Sequence, residues 1–302
     1  MAAVNKIVIL GSEGFIGSHA VRHFRKAGHA VMAADIVLKQ EKDYILINPE
    51  LPDFSRIFTG ASFDLCINAT GAANVQLSYA HPAMDYMLNV TNVYTILDNI
   101  RQYNPACKFI NFSSAAVYGN PESLPIAETA ALRPVSPYGY HKVYSEQVCR
   151  EFYQLFGIRT LNLRVFSAYG EGLRKQLFWD VHRKVSEATD AIELFGTGKE
   201  TRDFIYVSDI MQAIDAVIEN APFDGTAVNL ASGTESTIKE VVDIFVHALD
   251  RDIETRFSGN NKIGDPLNWR ADIGLLQSYG FRARYSLRDG IHNYCKWLRE
   301  KV

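Results

Sequence analysis

Several things are scarce in this chain of 302 residues, and each scarcity removes a class of function. Its four cysteines, Cys66, Cys107, Cys149 and Cys295, are scattered through apolar stretches, with no C-x-x-C and no Cys/His spacing. That pattern predicts buried free thiols and no metal site, and argues against a disulfide framework. No apolar run is long enough to span a bilayer, and Met1 to Lys6 lead into an apolar strand without a signal-peptide layout. The expected location is therefore the cytoplasm. A net charge of −3 offers no polybasic surface, so neither nucleic acid nor an anionic membrane is expected as the main partner. Internal repeats and low-complexity segments are absent as well. What remains, with 47% hydrophobic and 22% charged residues, is the composition of an ordinary globular protein large enough for one big domain or two closely joined ones.

The first informative stretch is Ile7-Val8-Ile9-Leu10, a short apolar run of the kind buried in a parallel sheet. It ends at Gly11-Ser12-Glu13-Gly14-Phe15-Ile16-Gly17. Ile16, Ala20, Val21, Phe24 and Ala27 then recur at helical period up to Gly28. Glycines in a strand-to-helix turn let the backbone approach a pyrophosphate, whose charge the helix N-terminus stabilises. Gly11, Gly14, Phe15, Ile16 and Gly17 are thus the expected dinucleotide-binding turn. A second strand, Ala30 to Ala34, ends in Asp35, placed to accept hydrogen bonds from an adenosine ribose. A carboxylate there repels a 2'-phosphate, which favours NAD over NADP. The competing reading is a strand-terminal Asp that caps a turn.

Strand-like runs recur at 44–47, 64–69, 108–112 and 160–165, and helical segments near 51–58, 76–103 and 138–156 separate most of them. The alternation predicts an α/β fold, a doubly wound parallel sheet over residues 1–166. From 167 to 302 the pattern loosens into a smaller, mainly substrate-facing lobe, with some segments expected to return to the sheet.

Within the helix from Tyr138, Lys142 lies four residues on, so a phenol and an ammonium share one face. A tyrosine with a pKa of about 10 is a poor base at neutral pH. Lowering it by about 3 pH units needs roughly 4 kcal/mol of preferential stabilisation of the phenolate. A lysine charge in a partly buried site, helped by a cationic cofactor, could supply that and make Tyr138 a general acid or base.

Taken together, Gly11/Gly14/Gly17, Asp35, Asn89 before Val90, Ser113 to Gly119, Tyr138 to Lys142, Arg164 to Gly170 and Thr201 to Val207 resemble the extended short-chain dehydrogenase/reductase superfamily, in its nucleotide-sugar epimerase/dehydratase branch. The resemblance implies a Rossmann domain with bound NAD, contacted at Asn89 as well as at the glycine turn and Asp35. It implies Ser114, Tyr138 and Lys142 as the catalytic set, with Lys142 also on the nicotinamide ribose. It further implies that Ser114, Arg202, Phe195, Lys262 and Asp265 meet a nucleoside-diphosphate sugar, and that helices near 83–103 and 138–157 form a homodimer. Dehydratases of this branch resemble one another in carrying acidic residues after the serine; here Ala115 and Ala116 stand there. Epimerisation at C4 is the favoured expectation. The alternatives are an NAD(P)H-dependent 4-keto-6-deoxy nucleotide-sugar reductase and a non-catalytic NAD-binding regulator. Ser167 departs from the family's usual Asn, and Asn68 to Gly71 from its commoner His-bearing strand end.

Overall fold

A computed structural model describes residues 4–260 and 267–301. Its strands are β1 (Lys6–Leu10), β2 (Ala30–Asp35), β3 (Tyr44–Leu46), β4 (Leu65–Asn68), β5 (Lys108–Ser114), β6 (Thr160–Val165), β7 (Ser167–Tyr169), β8 (Ala191–Leu194), β9 (Thr201–Tyr206), β10 (Asp224–Leu230), β11 (Glu235–Thr237) and β12 (Glu254–Phe257). Seven of them form one parallel sheet in the order β3-β2-β1-β4-β5-β6-β10. The chain winds outward from β1 in one direction and then, from β4, in the other. The ends of β1 and β4 therefore flank the crevice where ligands bind in open α/β sheets.

Alternation along β1 builds both faces of this sheet. Ile7 and Ile9 pack with Ala20 and Phe24 of helix α1 (Phe15–Lys26), whereas Val8 and Leu10 pack with Ile96, Leu97, Ile100 and Phe152 on the other side. All four β1 residues are fully buried, each contributing about 1.5–3 kcal/mol of hydrophobic stabilisation. The expected helix over 51–58 is a short one, α2 (Ser55–Thr59). That over 76–103 is divided into α3 (Val75–Ala80), α4 (Pro82–Tyr86), a π-helical turn at Met87–Thr91, and α5 (Asn92–Tyr103). The break has a local cause: Pro82 lacks an N–H, and His81 before it is forced out of the helical region, to φ −137° and ψ 65°. Helix α6 (Pro137–Phe156) is unbroken. Ser136 Oγ accepts from the Gly139 amide at 3.2 Å to cap its start, and Gly157, left-handed at φ 69°, ends it.

The residues after Val165 build a second core and also contribute β10, which pairs with β6 at the edge of the main sheet. Strands β11, β9 and β7 form a three-stranded sheet, and β12 pairs with β8. Helices α7 (Gln176–Glu187), α8 (Val207–Asn220), α9 (Ile238–Ala248), α10 (Gly274–Ser278) and α11 (Leu287–Lys301) complete the described chain. Phe178 anchors the second core, its ring centroid 5.1 Å from those of both Tyr169 and Phe245.

Candidate active site

The sequence forces a close approach at the end of β1. Gly11 adopts φ +75°, and a Cβ there would lie 2.5 Å from Ala69 O at the end of β4. Gly17, one turn into α1, leaves no room either, since its Cβ would meet Gly11 O at 2.0 Å. Turn and helix therefore touch backbone to backbone. The first-turn amides of α1, which helix geometry leaves without intrahelical acceptors, face the crevice with no acidic side chain and no side-chain cap in the way. Such a cradle fits a dinucleotide pyrophosphate.

Asp35 closes this end. Its Oδ2 accepts from the Glu13 amide at 2.8 Å and its Oδ1 from Ile36 and Val37 at 2.7 and 3.3 Å, so it caps the glycine turn and its own strand end. The capping role and a ribose contact are compatible, because a carboxylate offers about four lone-pair sites. Asn89 is buried in the π-helical turn, donating to Ala72 O and Asp85 O at 3.3 and 3.1 Å.

Ser114 ends β5 and starts a tight turn at Ala115–Val117, with its Oγ accepting from the Ala116 amide at 3.2 Å. The first turn of α6 presses on that turn: a Cβ at Gly139 would sit 2.7 Å from Ala116 O. This contact sets Tyr138, one residue earlier, beside the Ser114 hydroxyl, which favours the phenolate. Lys142 Nζ donates to Phe112 O at 2.9 Å and lies 5.8 Å from the Tyr138 ring centroid.

The electrostatics differ from the expectation that an adjacent ammonium lowers the phenol. Burial pushes Tyr138 up to about 12, opposed by the Ser114 hydrogen bond and reinforced by the charge of Asp85. Burial also pushes Lys142 down to about 8, although Asp85, Glu146 and Cys149 favour its charged form. The correction has a simple cause: both groups are nearly sealed from water, at 7% and 6% exposure, and each resists the charge the other would benefit from.

One cavity of about 920 Å³ joins these parts. Gly14, Phe15 and Ile16 line one end, Ser114, Tyr138 and Lys142 the middle, and Phe195 and Arg202 the lobe side. Gly11, Gly17, Asp35 and Asn89 support the turn and walls from behind. Arg202 donates to Thr201 O and Leu267 O at 2.8 and 3.1 Å and stacks 5.5 Å from the Trp269 ring. Phe195 is 57% exposed at the rim. Lys262 and Asp265 lie outside the described residues.

Two lining residues, Trp269 and Asn74, escaped the sequence reading. Trp269 is nearly buried, fixed by Nε1 donating to Gly119 O at 3.0 Å, and Asn74 caps α3 by accepting from Leu77 N at 3.0 Å. Gln176 enters α7 at φ 65°, a left-handed conformation uncommon for a side-chain-bearing residue. Only a tryptophan in an otherwise polar loop gave a sequence signal. Arg174, Lys175 and Gln176 line the cavity, and Arg174 also stacks on Trp179 and Trp297, its guanidinium 5.8 and 5.6 Å from the rings.

A serine and a tyrosine side by side with a lysine one turn on, in one cavity with a glycine turn at a parallel-sheet switch point, define an extended short-chain dehydrogenase/reductase. Residues 7–231 match the profile of the NAD dependent epimerase/dehydratase family, and the chain belongs to that family. The UDP-glucose 4-epimerase of Halalkalibacterium halodurans is 26% identical, over 97% of this chain and 96% of its own. MoeE5, solved with UDP-glucuronic acid and NAD, superposes with a TM-score of 0.87 at 25% identity, covering 99% of this chain and all of that one. The fold is shared with Thermotoga maritima UDP-glucose 4-epimerase, at a TM-score of 0.88 and 24% identity over 98% and 99% of the two chains. NAD is the family's cofactor.

Proposed function

We propose that this protein is a nucleotide-sugar epimerase, inverting C4 by transient oxidation with a retained NAD. The observation that carries the reading is the placing of Ser114, Tyr138 and Lys142 together in a cavity that runs from the glycine turn to Arg202 and Phe195 of the lobe. Support comes also from relatives whose names are those of epimerases, which favours this reading over a reductase.

NAD, when bound, would supply a reversible hydride acceptor for C4, so that no net redox change would result. Tyr138 takes the 4-hydroxyl proton and later gives it back, while Ser114 holds the same oxygen by a hydrogen bond. Lys142, released from Phe112 O or sharing its three donors with it, holds the nicotinamide ribose and keeps an ammonium beside the phenol. The absence of a carboxylate at Ala115 and Ala116 leaves one proton shuttle, enough for oxidation and re-reduction but not for elimination. Gly11, Gly14, Phe15, Ile16, Gly17, Asp35 and Asn89 form the NAD end. Arg202, a planar fork suited to phosphate, holds the substrate diphosphate and Phe195 packs by the base.

A cytoplasmic homodimer completes the proposal. Four buried free cysteines fit a reducing compartment. Tyr86, Met87 and Tyr94 on one side and Tyr140, Tyr144 and Tyr153 on the other leave large apolar surface exposed along α4 to α6. The proposed function is tested by denaturing the purified protein and identifying released cofactor, then screening UDP-, GDP-, CDP- and dTDP-sugars for isomerisation. Stoichiometric NAD and inversion at C4 of one class are expected. Exchangeable NADPH, with turnover only on added reductant, would establish the reductase instead.

A further inference from the structure

Three asparagines stand side by side in the middle of the parallel sheet, where continuous apolar residues are the rule. Asn68 on β4 is the register partner of Asn111 on β5, and Asn111 that of Asn162 on β6. They are 2%, 1% and 0% exposed, so each carboxamide must find its partners inside the protein. Asn68 Nδ2 donates to Asn111 Oδ1 at 3.3 Å, Asn111 Nδ2 to Asn162 Oδ1 at 3.0 Å, and Asn162 Nδ2 to the Gly225 carbonyl of β10 at 3.4 Å. At the other end, Asn68 Oδ1 accepts from the Thr70 amide at 3.2 Å and from Thr70 Oγ1 at 2.6 Å. A backbone amide can only donate and a carbonyl can only accept, so the two ends fix the sense of all three carboxamides. Asn111 Nδ2 also donates to Ser145 Oγ at 3.3 Å, which in turn donates to the Lys142 carbonyl of α6 at 2.9 Å. The row thus ties the end of β4 to the catalytic helix.

Its consequence falls on Thr70, which lines the cavity beside the glycine turn. The hydroxyl hydrogen is committed to Asn68, which leaves the Thr70 oxygen an acceptor for a ligand donor. We propose that Thr70 is a further cofactor-binding residue, whose hydroxyl oxygen accepts a hydrogen bond from the nicotinamide-side ribose of bound NAD, and that the asparagine row holds it in that sense. The strand order locates this ribose. Asp35 on β2 stands at the adenosine end, the pyrophosphate turn follows β1, Thr70 follows β4, and Ser114 ends β5, so Thr70 falls between the pyrophosphate and the reacting centre. A pyrophosphate brings only acceptors and cannot pair with an acceptor oxygen, whereas a ribose hydroxyl can. The Lys142 ammonium only donates, so a ribose that it holds needs an acceptor for its own hydroxyl hydrogen, and Thr70 supplies one. The assignment rests on NAD as the family's cofactor and not on epimerisation.

The test follows exchange of the retained cofactor in purified holoprotein: bound NAD is chased with excess deuterated NAD, and the incorporated label is read by mass spectrometry after gel filtration. Thr70→Val should speed exchange about 3–10-fold, the span of one lost neutral hydrogen bond, and Thr70→Ser should restore it to within about twofold of wild type. Asn68→Leu frees the hydroxyl hydrogen and should speed exchange by a similar factor, with no further gain when combined with Thr70→Val, because both remove the same bond. Loading with NAD that lacks the nicotinamide-side 2'- or 3'-hydroxyl identifies the donor: with one of these analogues, wild type and Thr70→Val should exchange alike. Unchanged exchange in folded Thr70→Val, a difference that persists with both analogues, or factors that multiply in the double variant would overturn the proposal. If Asn68→Leu does not fold, the two Thr70 variants and the analogues decide it. Faster exchange in a protein that inverts no nucleotide sugar leaves Thr70 on the cofactor and counts against the epimerase reading instead.

Discussion

The helix carrying Tyr138 and Lys142 is fixed to the sheet by a buried ion pair, and breaking it should be costly. Glu146, one turn beyond Lys142, meets Arg164 of β6 through two parallel bonds: Nε to Oε1 at 2.9 Å and Nη2 to Oε2 at 2.8 Å. Both side chains are almost fully buried, at 7% and 4% exposure. The carboxylate also accepts from Ser113 Oγ at 2.6 Å, and Arg164 Nη1 donates to Tyr118 Oη at 2.8 Å and Glu128 O at 2.9 Å. Glu146→Gln keeps the shape and removes the charge, leaving a guanidinium in a site with little water. Uncompensated buried charges of this kind cost about 3–5 kcal/mol. Replacing both, as Glu146→Leu with Arg164→Met, abolishes the orphan charge; the remaining cost is Ser113 and Glu128 losing partners, about 1–3 kcal/mol. Urea unfolding followed by circular dichroism gives the free energies of wild type, Glu146→Gln, Glu146→Leu, Arg164→Met and the double variant. The double variant should be more stable than Glu146→Gln, with strong coupling in the cycle. If the single substitution costs under about 1 kcal/mol, or the effects of the two sites simply add, the pair does not fix the catalytic helix as argued.

Other perturbations reach the site directly. Tyr138→Phe removes the proton carrier and should lower turnover by a factor of about 10²–10⁴ while the NAD content of the purified protein is unchanged. Gly17→Ala forces a methyl group to within 2.0 Å of Gly11 O and should both destabilise the fold by at least about 1–3 kcal/mol and empty the protein of NAD, read by thermal melting and by assay of released cofactor. Because burial holds Lys142 at about 8 against an ordinary 10.5, the unfolded chain binds more protons between those values, and this residue makes the folded state gain stability as pH rises through them. Lys142→Met should therefore be most favourable relative to wild type below pH 8 and lose about 3 kcal/mol of that relative stability by pH 10.5, measured by denaturant unfolding of cofactor-free protein.

The parallel sheet was legible because its strands are continuous apolar runs punctuated by Gly11, Asp35 and Pro137, signals that act through local backbone geometry. The loop from Ala72 to Gln76, the left-handed Gln176 and the enclosure of Trp269 were not, since each is set by packing across the crevice between segments far apart in sequence. Tyr138 and Lys142 show the same limit in energetic form. Their spacing gave the pairing, but the spacing says nothing of desolvation, which in the folded chain outweighs the attraction expected between them. The break at Pro82 was a local signal that a long helical pattern overrode.

The central claim is that Tyr138 takes and returns the 4-hydroxyl proton while a retained NAD would supply the acceptor for the C4 hydride, which returns to the opposite face. A nucleotide sugar deuterated at C4, turned over by the purified protein, tests this most directly. The C4 epimer should keep its deuterium, with none in solvent and no net NADH formed. Washout of the label into water, or inversion at an undiminished rate by Tyr138→Phe, would contradict it.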